Sequence, residues 1–225
     1  NDRAGTSVSG AGDINGDGFD DLAATATNAV ANNILTGAAF MVYGASGLHK
    51  GNIQKDYVLL GKAIRIDGPA AGGNFGSSVA GVGDFNKDGR RDLAVGQQAW
   101  SMSRGRAYVL YTPVNPVSFQ LPTDPDPLGG LAVAGTTQII DNIGTTVAGA
   151  GDFNSDGFAD LIVGTGPNLK KVLVVYGGIY GGASTAEMLV QNGNVSEIKT
   201  LAPGFVGPAV AGGRDVNGDG FDDVV

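Results

Sequence analysis

The chain has no cysteine at all, a single histidine (His49), a single tryptophan (Trp100) and only two glutamates, Glu187 and Glu197. Without cysteine there are no disulfide staples and no thiolate metal sites. With one histidine, any Ser/His/Asp catalysis would have to run through His49. No nucleophile elbow or oxyanion-forming motif accompanies it, and a solvated loop residue is the expectation there. No run of about 18 apolar residues is present to span a bilayer as a helix. No basic-then-apolar amino terminus reads as a signal peptide, so any secretion signal is expected to be removed or to lie outside the sequence. The basic pairs Arg90-Arg91 and Lys170-Lys171 are isolated, and without a basic stripe nucleic acid is not an expected partner. No stretch of 12 or more residues carries a 3.6-residue apolar stripe, so little helix is expected.

What is abundant is glycine, 39 of 225 residues, beside 9 prolines, 42% hydrophobic residues and only 16% charged ones. That balance excludes disorder and predicts an all-β fold with many tight turns, on a chain long enough to bury a core. Acidic residues number 22 against 14 basic, for a formal charge of −8. All but two of the acids are Asp, the short carboxylate suited to tight turns and to cation ligation. Four divalent ions would bring +8 and leave the net charge near zero.

One segment recurs four times: VSGAGDINGDGFDDLAAT from Val8, VAGVGDFNKDGRRDLAVG from Val79, VAGAGDFNSDGFADLIVG from Val147 and VAGGRDVNGDGFDDVV from Val210. Their first aspartates, Asp13, Asp84, Asp152 and Asp215, lie 71, 68 and 63 residues apart. This period suits one four-stranded antiparallel propeller blade and is too long for the common helical solenoids. The expected blade segments are approximately 1–70, 71–140, 141–203 and a partial 204–225, about three and a half blades. In the second blade, strands are expected at 92–96 and 105–111, with outer strands around 117–121 and 131–134. A closed propeller needs at least four blades, so completion is expected from a larger propeller or from another chain pairing with open strand edges.

Each copy reads D-x-N-x-D-G-x-x-D. Side-chain oxygens therefore fall at positions 1, 3, 5 and 9: Asp13, Asn15, Asp17, Asp21; Asp84, Asn86, Asp88, Asp92; Asp152, Asn154, Asp156, Asp160; and Asp215, Asn217, Asp219, Asp223. Alternate residues of a curling loop can point at one centre, the glycine at position 6 permits the sharp turn, and hard oxygen donors suit Ca²⁺. A backbone carbonyl at position 7 (Phe19, Arg90, Phe158 or Phe221) is expected to complete each shell, giving about four ions. An EF-hand is excluded, because position 12 is Ala24, Val95 and Val163 where a bidentate Glu is required. Metal-free Asx-turn hairpins are the competing reading. Carboxylates crowded into nine residues repel one another without a cation, and the crowding is repeated four times.

At these residues the sequence resembles the FG-GAP repeat family, the blades of integrin α-subunit propellers and their bacterial relatives. Phe75-Gly76, nine residues before Asp84, is the best match. Elsewhere the pair decays to Ala4-Gly5, Ile143-Gly144 and Val206-Gly207, and Arg214 stands where the other copies have Gly12, Gly83 and Gly151. The resemblance implies Ca²⁺ in the hairpin between the first two strands of each blade, a secreted or cell-surface location, and adhesion or ligand binding without catalysis. In an up-and-down blade the 2–3 and 4–1 connections share the end opposite the calcium loops. Trp100, with Arg104 nearby, is the candidate anchor there for an extracellular protein or glycan. The alternatives are a structural subunit of a calcium-stabilised oligomer or filament and the propeller part of a polysaccharide- or phospholipid-active enzyme. Asp124-Pro125-Asp126-Pro127 reads as a stiff exposed loop.

Overall fold

Short runs of aliphatic and β-branched residues bounded by glycine turns have little alternative to the pleated sheet. The computed structural model describes residues 2–46, 51, 57–69, 74–112, 118–121, 131–134, 142–166, 171–180, 182–185, 192–199 and 209–225. His49, Asp124 to Pro127 and the Val206-Gly207 pair lie outside them.

The first blade is an antiparallel sheet in the order β1 (Ala4–Gly12), β2 (Asp21–Ala26), β5 (Ala38–Val42) and β6 (Ala63–Asp67), with a small hairpin of β3 (Val30–Ala31) and β4 (Ile34–Leu35) between β2 and β5. The second is β7 (Phe75–Gly83), β8 (Asp92–Gln97), β9 (Arg106–Leu110) and β11 (Leu131–Ala134). The third is β12 (Val147–Gly151), β13 (Asp160–Gly164), β14 (Lys171–Val175) and β16 (Val195–Lys199). The fourth begins with β17 (Gly212–Arg214) and β18 (Asp223–Val224). The sheets are blades of a β-propeller, and the described part of the fourth ends after its second strand.

Two strands depart from the expected arrangement. The segment around 117–121 was expected as an outer strand of the second blade. Instead β10 (Phe119–Gln120) joins the first blade, running parallel to β6 with Phe119 opposite Ile66 and Gln120 opposite Asp67. In the same way β15 (Gly182–Thr185), from the third blade's 3–4 connection, runs parallel to β11 of the second. A blade's outermost strand has a row of unpaired backbone groups, and a crossing segment satisfies them. Leu121, 2% exposed, then drops into the core between the first two blades, which anchors the crossing.

The inner strands explain the small residues of the repeat. A Cβ placed on Gly81 would lie 2.8 Å from the Ala11 backbone, and one on Gly149 would lie 3.0 Å from the Gly81 carbonyl oxygen. Successive inner strands therefore approach backbone to backbone, and larger residues would push the blades apart. Farther out the interfaces are aliphatic. Ile14, Met41 and Ile66 of the first blade pack with Phe75, Leu93 and Tyr108 of the second. Phe85 and Val109 of the second pack with Leu161 and Leu173 of the third.

Of the decayed Phe-Gly pairs, Ile143-Gly144 keeps the geometry of the intact one, and Ala4-Gly5, with Ala4 exposed, keeps only the glycine's backbone. Phe75 is fully buried with its ring edge on Tyr108 at 5.6 Å, and Ile143 is also fully buried. The glycines that follow, Gly5, Gly76 and Gly144, have φ of +84°, +89° and +77°, where a side chain would be strained. In the fourth copy the left-handed residue moves one place earlier, from the position of Gly12, Gly83 and Gly151 to Gly213 (φ +79°), which lets Arg214 occupy the usual glycine position.

Leu22 and Leu93 hold the same place in the first and second blades but are 60% and 0% exposed. Leu93→Ala is expected to cost about 2–5 kcal/mol of unfolding free energy, as truncation of a buried leucine does. Leu22→Ala should stay within about 0.5 kcal/mol, as at a surface position. Urea denaturation of both variants checks this, and equal losses would contradict the interface described.

Candidate metal centre

The four aspartate loops close in nearly the same way. In the first, Asp13 accepts backbone N–H bonds from Gly16, Asp17 and Gly18, while Asp17 Oδ1 accepts from Phe19 N at 2.9 Å. Asn15 Oδ1 accepts from Asp17 N, and its Nδ2 donates to Asp17 Oδ2 at 2.9 Å. The bonds at the equivalent atoms recur around Asp84, Asp152 and Asp215. Position 6 has φ between +85° and +92° at Gly18, Gly89, Gly157 and Gly220, which is why glycine stands there in every copy. The exposed Asp215 carboxyl is held below its ordinary range, chiefly by the Gly220 N–H.

The ninth-position aspartates differ from the other three donors. Asp21 Oδ2 accepts from Ile14 N and its Oδ1 from Gly44 N, at 2.8 and 2.7 Å. Asp92 takes the N–H groups of Phe85 and Thr112, and Asp160 those of Phe153 and Gly177. Each carboxylate thus ties the 1–2 loop to the residue just after strand 3, and all three are buried. Burial pushes Asp92 up to about 7 and Asp160 up to about 6, against the backbone N–H groups that pull the other way. It raises Asp21 as well. In the fourth loop Asp223 Oδ2 accepts from Val216 and Asn217. Gly44, Thr112 and Gly177 were not singled out in the sequence. The signal for them is the tyrosine directly after strand 3 that each follows: Tyr43, Tyr111 and Tyr176.

Among the described residues no three His, Cys, Asp or Glu side chains converge as a metal cluster. What each loop offers is a mixed set of hard oxygens: the carboxylates at positions 1 and 5, the amide oxygen at position 3 and the carbonyl at position 7. A carboxylate has about four lone-pair sites. Asp13 spends three and Asp17 two on the bonds named above, which leaves acceptor capacity on both. An all-oxygen set with spare lone pairs fits calcium, and all four loops share it.

The 2–3 and 4–1 connections meet at the opposite end. The turn α1 (Trp100–Ser103) has φ of +47° at Ser101 and +59° at Met102, and Ser103 follows at +66°. Ser103 and Arg104 carbonyls accept the N–H groups of Asn142 and Ile143 from the 4–1 connection. Arg104 folds back on this turn, Nε to the Ser101 carbonyl and Nη2 to Ser101 Oγ at 3.0 and 2.7 Å. Its guanidinium therefore already holds a turn that non-glycine residues adopt only under strain. The Trp100 side chain lies outside the described residues. Met102 is 85% exposed.

Stacked antiparallel sheets with an aspartate hairpin at one end of each define a β-propeller repeat. A profile of the FG-GAP repeat matches residues 4–38, 75–110 and 144–174. The chain is an FG-GAP repeat protein, of the integrin α-like kind. It is 30% identical over 95% of its length to integrin alpha pat-2 of Caenorhabditis briggsae, and 28% identical over 68% to integrin alpha-8 of Gallus gallus, covering 17% and 14% of those proteins. It is also 32% identical over 76% of its length to phosphatidylinositol-glycan-specific phospholipase D of Bos taurus, covering 20% of that enzyme. The chain thus spans about a sixth of the length of the integrin relatives it matches. Among the described residues no helix is long and apolar enough to cross a membrane.

The raised carboxyls carry a pH dependence. Their folded-state affinity for the proton exceeds that of the unfolded chain, whose ordinary value is 3.8. The stability they contribute is therefore full below that value and is lost as pH rises through about 6 for Asp160 and about 7 for Asp92. In excess chelator, the melting temperature at pH 5 should exceed that at pH 8 by at least about 2 °C, the shift that 1 kcal/mol gives a domain of this size. A higher melting temperature at pH 8 would contradict the burial of these groups.

Proposed function

We propose that the chain is an extracellular, calcium-binding propeller module that recognises a protein or glycan through its 2–3/4–1 face and does not catalyse. The observation that carries this reading is the fourfold repetition of one all-oxygen loop at one end of the sheets. Such loops staple a glycine-rich fold and leave the other end free for a ligand. The likeness to integrin α subunits supports adhesion and a surface location, and that to phospholipase D supports a propeller used beside other activities. The ions would be held by Asp13, Asn15, Asp17, the Phe19 carbonyl and Asp21, and by their equivalents in the other loops, the ninth-position carboxylate serving both its backbone N–H partners and the ion. There calcium would neutralise crowded carboxylates and lock the hairpin.

A site that binds only the folded state adds RT ln(1 + [L]/Kd). With a Kd of about 10⁻⁴ M, a few millimolar calcium adds about 2 kcal/mol per site. Thermal unfolding in millimolar CaCl₂ against excess EDTA should show a large fall in melting temperature with the chelator. Equal curves would leave the loops as metal-free Asx turns and remove the main support for the reading. For the ligand face, Trp100→Ala is expected to weaken binding on a glycan or matrix-protein array, and unchanged binding would count against that anchor.

A second reading, self-association, rests on Val8 and Leu22. They are 70% and 60% exposed, whereas their equivalents Val79 and Leu93 are 4% and 0% exposed at the next interface. A mass by light scattering that rises with concentration supports it, and a constant monomer excludes it.

A further inference from the structure

The four loops are not electrostatically equal. Position 7 is Phe19, Phe158 and Phe221 in three of them but Arg90 in the second. The Arg90 side chain does not wander into solvent. Its Nη2 donates to Asp88 Oδ2 at 2.7 Å, and its Nε donates to the Thr112 carbonyl at 2.7 Å. The guanidinium is thereby fixed between the end of strand 3 and the position-5 carboxylate of its own loop. Asp88 Oδ2 also takes Asn86 Nδ2, and Asp88 Oδ1 takes Arg90 N. At the same oxygen of the other loops, Asp17, Asp156 and Asp219 take the asparagine N–H, with an uncharged phenylalanine two residues on.

The second loop has two more cations, but they lean away from it. Lys87 Nζ lies 4.8 Å above the Phe158 ring and within 2.6 Å of where a Gly157 Cβ would stand, beside the third loop. Arg91 lies against Gly12, at the entrance of the first, with its Cδ 2.4 Å from an added Cβ. Only Arg90 stays on a carboxylate of the second loop. At the other extreme, the first and fourth loops each have four aspartates, Asp13, Asp17, Asp20 and Asp21 in the one and Asp215, Asp219, Asp222 and Asp223 in the other, and no cation within their nine positions.

We propose that the second loop is self-neutralised: the Arg90 guanidinium stands in for part of the charge of an ion, and this loop binds calcium most weakly of the four while keeping its shape when calcium is scarce. The inference rests on the calcium reading above and assigns it an order. A unit positive charge within about 6 Å of a divalent ion lowers its affinity by about tenfold even at the dielectric constant of water. Lys87 and Arg91 stand beside the third and first loops without bonding the position-5 carboxylate there, so they impose less of that penalty than Arg90 does on its own loop, and the fourth loop has no such neighbour among the cations named.

The test is a calcium titration of the full chain by calorimetry, with melting temperatures in chelator run beside it. Arg90→Phe, which gives the second loop the residue of the other three, should tighten the weakest binding phase by about tenfold or more. Phe19→Arg should weaken one of the tighter phases. Because Arg90→Phe also loses the Thr112 bond, two carboxylate variants serve as a second measurement. Asp88→Asn should leave the tight phases of the wild-type isotherm in place, whereas Asp17→Asn removes one. If wild type and variants all bind no calcium, the calcium reading itself fails and this inference with it. If wild type binds calcium, but the Arg90→Phe isotherm superposes on it and Asp88→Asn removes a tight phase, the inference alone is overturned.

Discussion

Everything at the loop end hangs on a carboxylate that is taken out of water and given two backbone N–H groups in return. Asp21, Asp92 and Asp160 each begin a second strand, and each reaches both the start of its own loop and the residue after its third strand. A buried carboxylate is costly unless hydrogen-bonded, and here its partners are amides that burial would otherwise leave unsatisfied. The loop is shaped from beneath before any ion is considered. The oxygens at positions 1, 3 and 5 are therefore held in place by the protein, and an ion bound as proposed would meet a loop already curled.

Geometry is kept in this chain where residue identity is not. Ile143 fills the buried place that Phe75 fills, and the glycine after each takes the same left-handed backbone. In the fourth copy Arg214 is admitted because Gly213 takes over the left-handed conformation one residue earlier. A repeat of this kind tolerates much drift in side chains so long as a glycine is available where the backbone must turn and a small residue where inner strands meet.

The second blade's strands at 92–96, 105–111 and 131–134, and the hairpin loops of all four repeats, were legible in the sequence. The Asp-x-Asn-x-Asp-Gly spacing and the flanking apolar runs are local signals. The crossing strands were not, because a two-residue strand such as Phe119–Gln120 carries no period, and its partner Ile66 lies in the preceding repeat. The double role of the ninth aspartate was half legible. Its place in the spacing marked it as a ligand, while Leu93 and Leu161 directly after Asp92 and Asp160 were the sign that it opens a fully buried strand. That Arg90 turns back on Asp88 could not be read from composition, since Arg90 and Arg91 look alike in sequence and diverge only through the carbonyl that Thr112 offers.

The parallel crossings by β10 and β15 give the stack a different grain from its sequence. The repeat that recurs along the chain and the sheet that forms in space are offset, because part of the second repeat and part of the third are each sewn onto the edge of the repeat before. Excising one repeat would take a strand away from a neighbour as well as a blade from the array. Neighbouring sheets therefore share covalent chain as well as apolar surface, as overlapping shingles do, and strain applied to one is borne in part by the next.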